Sequence, residues 1–231
     1  MVVLGIETSG GGGSVALCDE EQTLAAFRFP EGARHARDVV PAVDQVVREA
    51  GLTREQIGAV AVSQGPGSFT GLRIGVTCAK TLAYALGWRA VGVPSLEVLV
   101  QNVQARAAGD HACPVRDARR QRVYATLFRW DGTRWRDTTG VLLVAPEELV
   151  ERLPEGTLVF GPGVRAHADR FSSGRLVGGA CELEVGHAEA AARLGMEKLR
   201  AGEAGDPMAL MPLYYRVTEA EEKLGAQAAS L

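Results

Sequence analysis

The 231-residue sequence has only four cysteines and four histidines, and neither set is grouped. Cys18, Cys78, Cys113 and Cys181 form no CxxC pair, which argues against a zinc knuckle and a redox dithiol; three of them sit in apolar stretches and read as buried thiols. His35, His111, His167 and His187 include no i, i+4 pair that would place two imidazoles on one helical face, so each reads as a surface or capping residue. An excess of positive charge is also missing. Lys and Arg number 25 against 28 Asp and Glu, giving a net charge of -3. A surface that grips nucleic acid unaided is usually basic, so for any RNA another chain is expected to supply most of the grip. No apolar run approaches the ~20 residues that cross a bilayer. The first seven residues, MVVLGIE, carry no basic leader and contain Glu7. The expectation is a cytoplasmic protein that makes no membrane contact.

What is present is enough for a core: 46% of residues are hydrophobic and 23% charged. The length suits one large domain or two lobes of roughly 100 residues each. Short apolar runs at 2–7, 14–18 and 23–29 predict three strands, with a glycine turn at 10–13 between the first two. Residues 36–50 have helical spacing, with Val39, Val40, Val43, Val46 and Val47 on one side and Gly51 as the stop. A buried strand at 59–63, a helix at 72–86, a strand at 90–93 and a helix capped by Ser95, with Leu96, Leu99, Val100 and Val103 as its buried stripe, complete a βββαβαβα order. That order resembles one lobe of the ribonuclease-H-like fold shared by actin and sugar kinases, whose members have two such lobes. The polar stretch 104–111 marks a boundary, giving a first lobe over 1–104 and a smaller second lobe over 105–231. In the second, strands are expected at 113–115, 123–130 and 157–160, a short helix from Pro146, and an Ala-rich helix at 188–201.

Three segments could carry chemistry. IETSGGGGSVAL at 6–17 has the form of the first phosphate loop of actin-like ATPases, with Glu7 where those usually have Asp; the plainer alternative is a hairpin turn without a ligand. QGPGSFTG at 64–71 joins a strand to a helix N-terminus, where Gly65, Gly67, Ser68 and Arg73 could hold an anion. Alternatively, its glycines only let the loop pass close beneath a neighbour. RDARRQR at 116–122 offers Arg116, Arg119 and Arg120 as an anion or RNA contact, or as residues salt-bridged to Asp117. Ser68 has no His or Asp placed by sequence to activate it. The pairs Glu20–Glu21, Glu147–Glu148 and Glu221–Glu222 read as solvated surface.

GPGSFTGLRIGVTCAKTLA at 65–83 resembles the signature of the TsaB family. IETS at 6–9, DARR at 117–120 followed by Val123 and Tyr124, and PLYYR at 212–216 extend the similarity over the whole chain. The resemblance implies a shortened relative of TsaD, the subunit that transfers threonylcarbamoyl to adenosine in tRNA, a group also described as glycoproteases. TsaD-type proteins carry a His-x-x-x-His pair at the start of the third helix and an Asp from the second lobe as metal ligands. Ser95 and Leu99 stand at those positions here, and leucine cannot ligate. The implied protein is therefore non-catalytic, without metal or cofactor of its own. It would bind and activate a TsaD-type transferase as a heterodimer, with a TsaE-type ATPase completing a larger complex and tRNA met only through that complex. A homodimer is possible for the chain alone. The rival reading is a small ATP-binding kinase or hydrolase using the two glycine loops, with FGPGV at 160–164 as its one adenosine candidate.

The helix at 72–86 carries apolar or small residues over more than half its circumference, wider than the ~100° stripe that resting on a sheet requires. It can therefore pack on its sheet and on a second helix, either that at 36–50 or one from another subunit. TsaB and TsaD pair through their first lobes, so the resemblance implies the second option, with Val39, Val43, Val46, Leu72, Val76, Ala79, Leu82 and Ala83 as candidate partner-binding residues.

Overall fold

Side-chain size alternates along the first strands, and this decides how the molecule is layered. In β1 (Val2–Glu7), β2 (Ser14–Cys18) and β4 (Ile57–Gly65) one face carries Leu4, Ile6, Val15, Leu17, Val60 and Val62. The other carries Val3, Gly5, Ala16, Ala59 and Ala61. Strands alternate faces with period two, so the sheet is buried on both sides, and the layer on the small face must come close. With β3 (Thr23–Arg28) and β5 (Arg89–Pro94) the strand order is β3-β2-β1-β4-β5. The first three strands are antiparallel, and β1, β4 and β5 are parallel.

The computed structural model describes residues 1–29, 35–103, 109–172, 174–178, 187–203 and 206–216. The large face is covered by α1 (His35–Glu49) and α2 (Phe69–Leu86), which also pack on each other. Ser68 caps α2 by accepting from Gly71 N at 3.2 Å, and Gly87 ends it in the left-handed region at φ 70°. The short α3 (Ser95–Val100) follows β5. Its N-cap is Pro94 rather than the predicted Ser95, whose hydroxyl instead accepts from Gly65 N at 3.1 Å. The buried stripe Leu96, Leu99, Val100 and Val103 is as expected.

The second sheet repeats the order of the first with mostly shorter strands and two added ones. It contains β6 (His111–Asp117), β7 (Val123–Ala125), β8 (Phe128–Trp130), β9 (Trp135–Asp137), β10 (Leu142–Val144), β11 (Leu158–Phe160) and β12 (Val177–Gly178). Its order β10-β7-β6-β11-β12 has the same alternation of antiparallel and parallel neighbours. The run expected at 123–130 is thus two strands, with β8 turning away to pair with the start of β6 and with β9. Helices α4 (Pro146–Arg152) and α5 (Pro162–Ala166) lie on this sheet.

The last α-helix among the described residues, α6 (Ala188–Arg200), does not stay with the second sheet. It returns to the small face of the first sheet, against β1, β4 and β2. A Cβ on Gly5 would lie 2.0 Å from Ala188 O, and one on Gly195 2.3 Å from Ala61 Cβ. The alanines and glycines of both surfaces set this short separation. A turn at Pro207–Ala209 and an extended strap over 210–216 then cross back toward α2. Cys181 and the pair Glu221–Glu222 lie outside the described residues.

Candidate partner-binding site

The two glycine loops fill each other. Ser68 N donates to Ser9 O at 2.8 Å, and Thr8 Oγ1 donates to Gly71 O at 2.8 Å. Added Cβ atoms at Gly67, Gly71 and Gly75 would fall 2.3 Å from Ser9 O, 2.0 Å from Thr8 O and 2.2 Å from Thr8 Oγ1. The spacing of Gly71 and Gly75 puts both on one face of α2, the face that crosses β1's end. The glycines therefore serve close approach, the second of the two sequence readings, and Ser68 serves as a helix cap. Gly11, at the tip of the first loop, has nothing within 4 Å of its virtual Cβ.

An arginine from the second sheet closes the remaining space. Arg116, on β6, is 4% exposed. Its Nη1 donates to Ser9 O at 3.0 Å and its Nη2 to Ser9 Oγ at 2.8 Å. Ser9 in turn donates through N, at 2.6 Å, and through Oγ to Glu7 Oε1, while Ser63 Oγ donates to Glu7 Oε2. Glu7 is itself buried. Burial pulls the guanidinium below the ordinary arginine range, and the nearby Glu7 carboxylate opposes that shift. Arg116 therefore does not belong to a surface basic patch: it is a buried pin between the sheets. Arg119 and Arg120 remain exposed, and Arg119 bridges Asp117 at 3.5 Å.

The other chemical candidates resolve into packing. Ser95 and Leu99 are both fully buried, one bonded to Gly65 and one in the α3 core. His111, His167 and His187 lie on β6, after α5 and before α6; His167 Nε2 sits 3.5 Å from Asp117 Oδ1, and His187 Nδ1 lies 3.0 Å from Arg28. In FGPGV, Cβ atoms on Gly161 and Gly163 would lie 2.5 Å from Val115 O and 2.7 Å from Arg116 C, so these glycines seat α5 against β6. Cys18, Cys78 and Cys113 are buried free thiols, and burial raises Cys113 to about 12.

PLYYR is a strap between the lobes. Leu213 N donates to Gln64 O at 2.6 Å. Tyr214 Oη accepts from Arg73 Nε at 2.9 Å, and its ring lies 5.0 Å from that of Phe69. Arg73 also stacks over Phe69, 3.8 Å from its centroid, so this arginine is engaged by rings at the head of α2. Tyr215 meets Tyr124, and Arg216 Nη1 donates to Ala118 O at 2.9 Å.

A concave apolar groove of about 530 Å³ lies between α1 and α2. Ala36, Val39 and Val40 line one side; Arg73, Ile74, Thr77, Cys78, Thr81 and Leu82 line the other. Of the eight predicted partner-binding residues only Val39 and Leu82 reach it. Val43, Val46, Leu72, Val76, Ala79 and Ala83 are buried in the chain's own core. The sequence pattern did not separate the buried from the open stripe of these helices, because a helix with apolar residues over most of its circumference gives no sign of which stripe its own sheet takes. Exposed Val40 and the alternation of Thr77 and Thr81 with Ile74 were the signal for the open side.

A doubled strand order of this kind, with helices on both faces of the first sheet, defines an actin-like α/β protein. A family model described as TsaD, tRNA N6-adenosine threonylcarbamoyltransferase, matches residues 30–169. The chain is 31% identical over 230 residues to the tRNA threonylcarbamoyladenosine biosynthesis protein TsaB of Bacillus subtilis, covering 96% of this chain and 97% of that one. It is 27% identical to the Escherichia coli protein of the same name, covering 97% and 98%. A solved structure of YeaZ from Pseudomonas aeruginosa superposes with a TM-score of 0.79 at 26% identity, over 92% of this chain and 99% of that chain. The chain belongs to the TsaB family.

Proposed function

We propose that this chain is a non-catalytic subunit in the biosynthesis of threonylcarbamoyladenosine on tRNA, and that it binds and activates a TsaD-type transferase through the α1–α2 groove. The role in that pathway comes from the full-length TsaB relatives. The observation that carries the docking assignment is the groove itself: an apolar cleft of about 530 Å³ left open on the face that α1 and α2 share. A helix pair from the transferase's first lobe fits such a cleft by helix-on-helix packing, with Thr77 and Thr81 allowing close approach. The non-catalytic part rests on Ser95 and Leu99, which replace the two imidazoles and are committed to packing, and on Arg116, which occupies the space between the glycine loops. Activation would be a shift of the partner's conformational equilibrium on docking. A TsaE-type ATPase would join the resulting heterodimer.

The test is co-elution with a TsaD-type transferase on size-exclusion chromatography. The wild-type chain is expected to elute with it, and Thr77→Arg, which puts a charge into the groove without touching the core, is expected to elute alone while keeping its thermal midpoint. A Thr77→Arg chain that still co-elutes would show that the groove is not the docking face.

A further inference from the structure

Among the described residues that line the α1–α2 groove, Arg73 is the one with a charged side chain; the rest are aliphatic, threonine or cysteine. Arg73 is exposed, and the way it is held decides what it can still do. Its guanidinium lies over Phe69, 3.8 Å from the ring centroid, and its Nε donates to Tyr214 Oη at 2.9 Å. Nη1 and Nη2 make no hydrogen bond or ion pair among the described residues. Tyr214 is fixed in turn. Its ring lies 5.0 Å from that of Phe69, and its neighbour Leu213 donates to Gln64 O at 2.6 Å. A Cβ on Gly65 would fall 2.5 Å from Leu213 O, so the strap is seated on the turn that leads into α2.

An arginine braced through Nε and the face of its plane presents the remaining edge, formed by Nη1 and Nη2. That edge is a fork matching the two oxygens of one carboxylate. The brace also removes side-chain freedom before binding, so less is lost when a contact forms. Covering the groove takes the fork out of water. An apolar helix would leave both nitrogens unpaired, which is costly for a charged group. No carboxylate among the described lining residues can serve them, so the occupant has to bring one.

We propose that Arg73 binds an Asp or Glu side chain of the docked helix end-on through Nη1 and Nη2, and that Tyr214 is the positioning residue that aims it. This rests on the reading that a transferase helix pair fills the groove, and adds the polar contact that fixes its register. The experiment measures the affinity of the full-length chain for a TsaD-type transferase by calorimetry at low and high salt. Thermal midpoints report that each variant is folded. Arg73→Gln is expected to weaken the complex about tenfold and to flatten its salt dependence. Arg73→Lys keeps the charge but not the fork, so it should keep the salt dependence without recovering full affinity. Tyr214→Phe keeps the ring and removes the acceptor. It should weaken binding about threefold in the otherwise wild-type chain and have no further effect in Arg73→Gln. Arg73→Gln that binds like wild type, while Thr77→Arg does not bind, would overturn this proposal and leave the groove reading standing. Equal losses from Tyr214→Phe with and without Arg73 would overturn the positioning role. Wild-type chain that does not bind the transferase would overturn the groove reading and this one with it.

Discussion

Arg116 and Glu7 act through one serine. The guanidinium holds both the carbonyl and the hydroxyl of Ser9, and the carboxylate receives the N–H and hydroxyl of the same residue. Removing one member of such a buried pair leaves the other charge uncompensated, at a cost of about 3–5 kcal/mol. Arg116→Met is expected to lower unfolding stability by that amount in urea titration. Glu7→Gln together with Arg116→Met should cost clearly less than the sum of the single changes, since the pair is coupled. The two members are far apart in sequence, so Glu7 and Arg116 each stood out as singular residues, one in a glycine loop and one in a basic run, while their partnership was not legible. The glycines make a second contrast. Gly71→Ala drives a methyl into Thr8 O, a contact with backbone that cannot relax, and is expected to destabilise by about 1–3 kcal/mol or more. Gly11→Ala meets nothing and should leave the thermal midpoint unchanged.

Among the elements, α2 carries two opposed faces of similar chemistry. Ala79 is fully buried against α1 and the sheet, whereas Thr77 lies in the open groove. Ala79→Arg is therefore expected to prevent folding, seen as loss of the cooperative thermal transition, and Thr77→Arg to leave that transition in place. The first-lobe elements were readable because β1, β2 and β4 are short apolar runs bounded by polar or glycine-rich turns, and α1 and α2 have helical spacing. The helix α6 was readable as a helix but not as part of the first sheet's packing, because spacing says nothing about long-range contact. A signal did exist. Small residues alternating with large ones at Gly5, Ala16, Ala59 and Ala61 call for a tightly seated layer, and the Ala- and Gly-rich sequence of α6 supplies it. The strap at 210–216 could not be read by pattern at all. It is extended, partly exposed and held by single bonds such as Leu213 to Gln64.

At the scale of the whole molecule, two sheets of the same order are joined by a buried pin on one side and a strap on the other. The pin fixes β6 against the first glycine loop, and the strap's Arg73–Tyr214 bond ties the rim of the α1–α2 groove to the segment that reaches the second sheet. It follows that the isolated chain should bind ATP more weakly than about 10 µM, roughly -7 kcal/mol, by calorimetry. The most direct test of the account is reconstitution. A TsaD-type transferase, a TsaE-type ATPase, the adenylate-forming enzyme, ATP and tRNA are combined with wild-type chain, with Thr77→Arg, or with neither, and threonylcarbamoyladenosine is measured by mass spectrometry of digested tRNA. Modification is expected only with the wild-type chain. Full modification in its absence, or modification by this chain given tRNA and preformed threonylcarbamoyl-adenylate alone, would contradict the account.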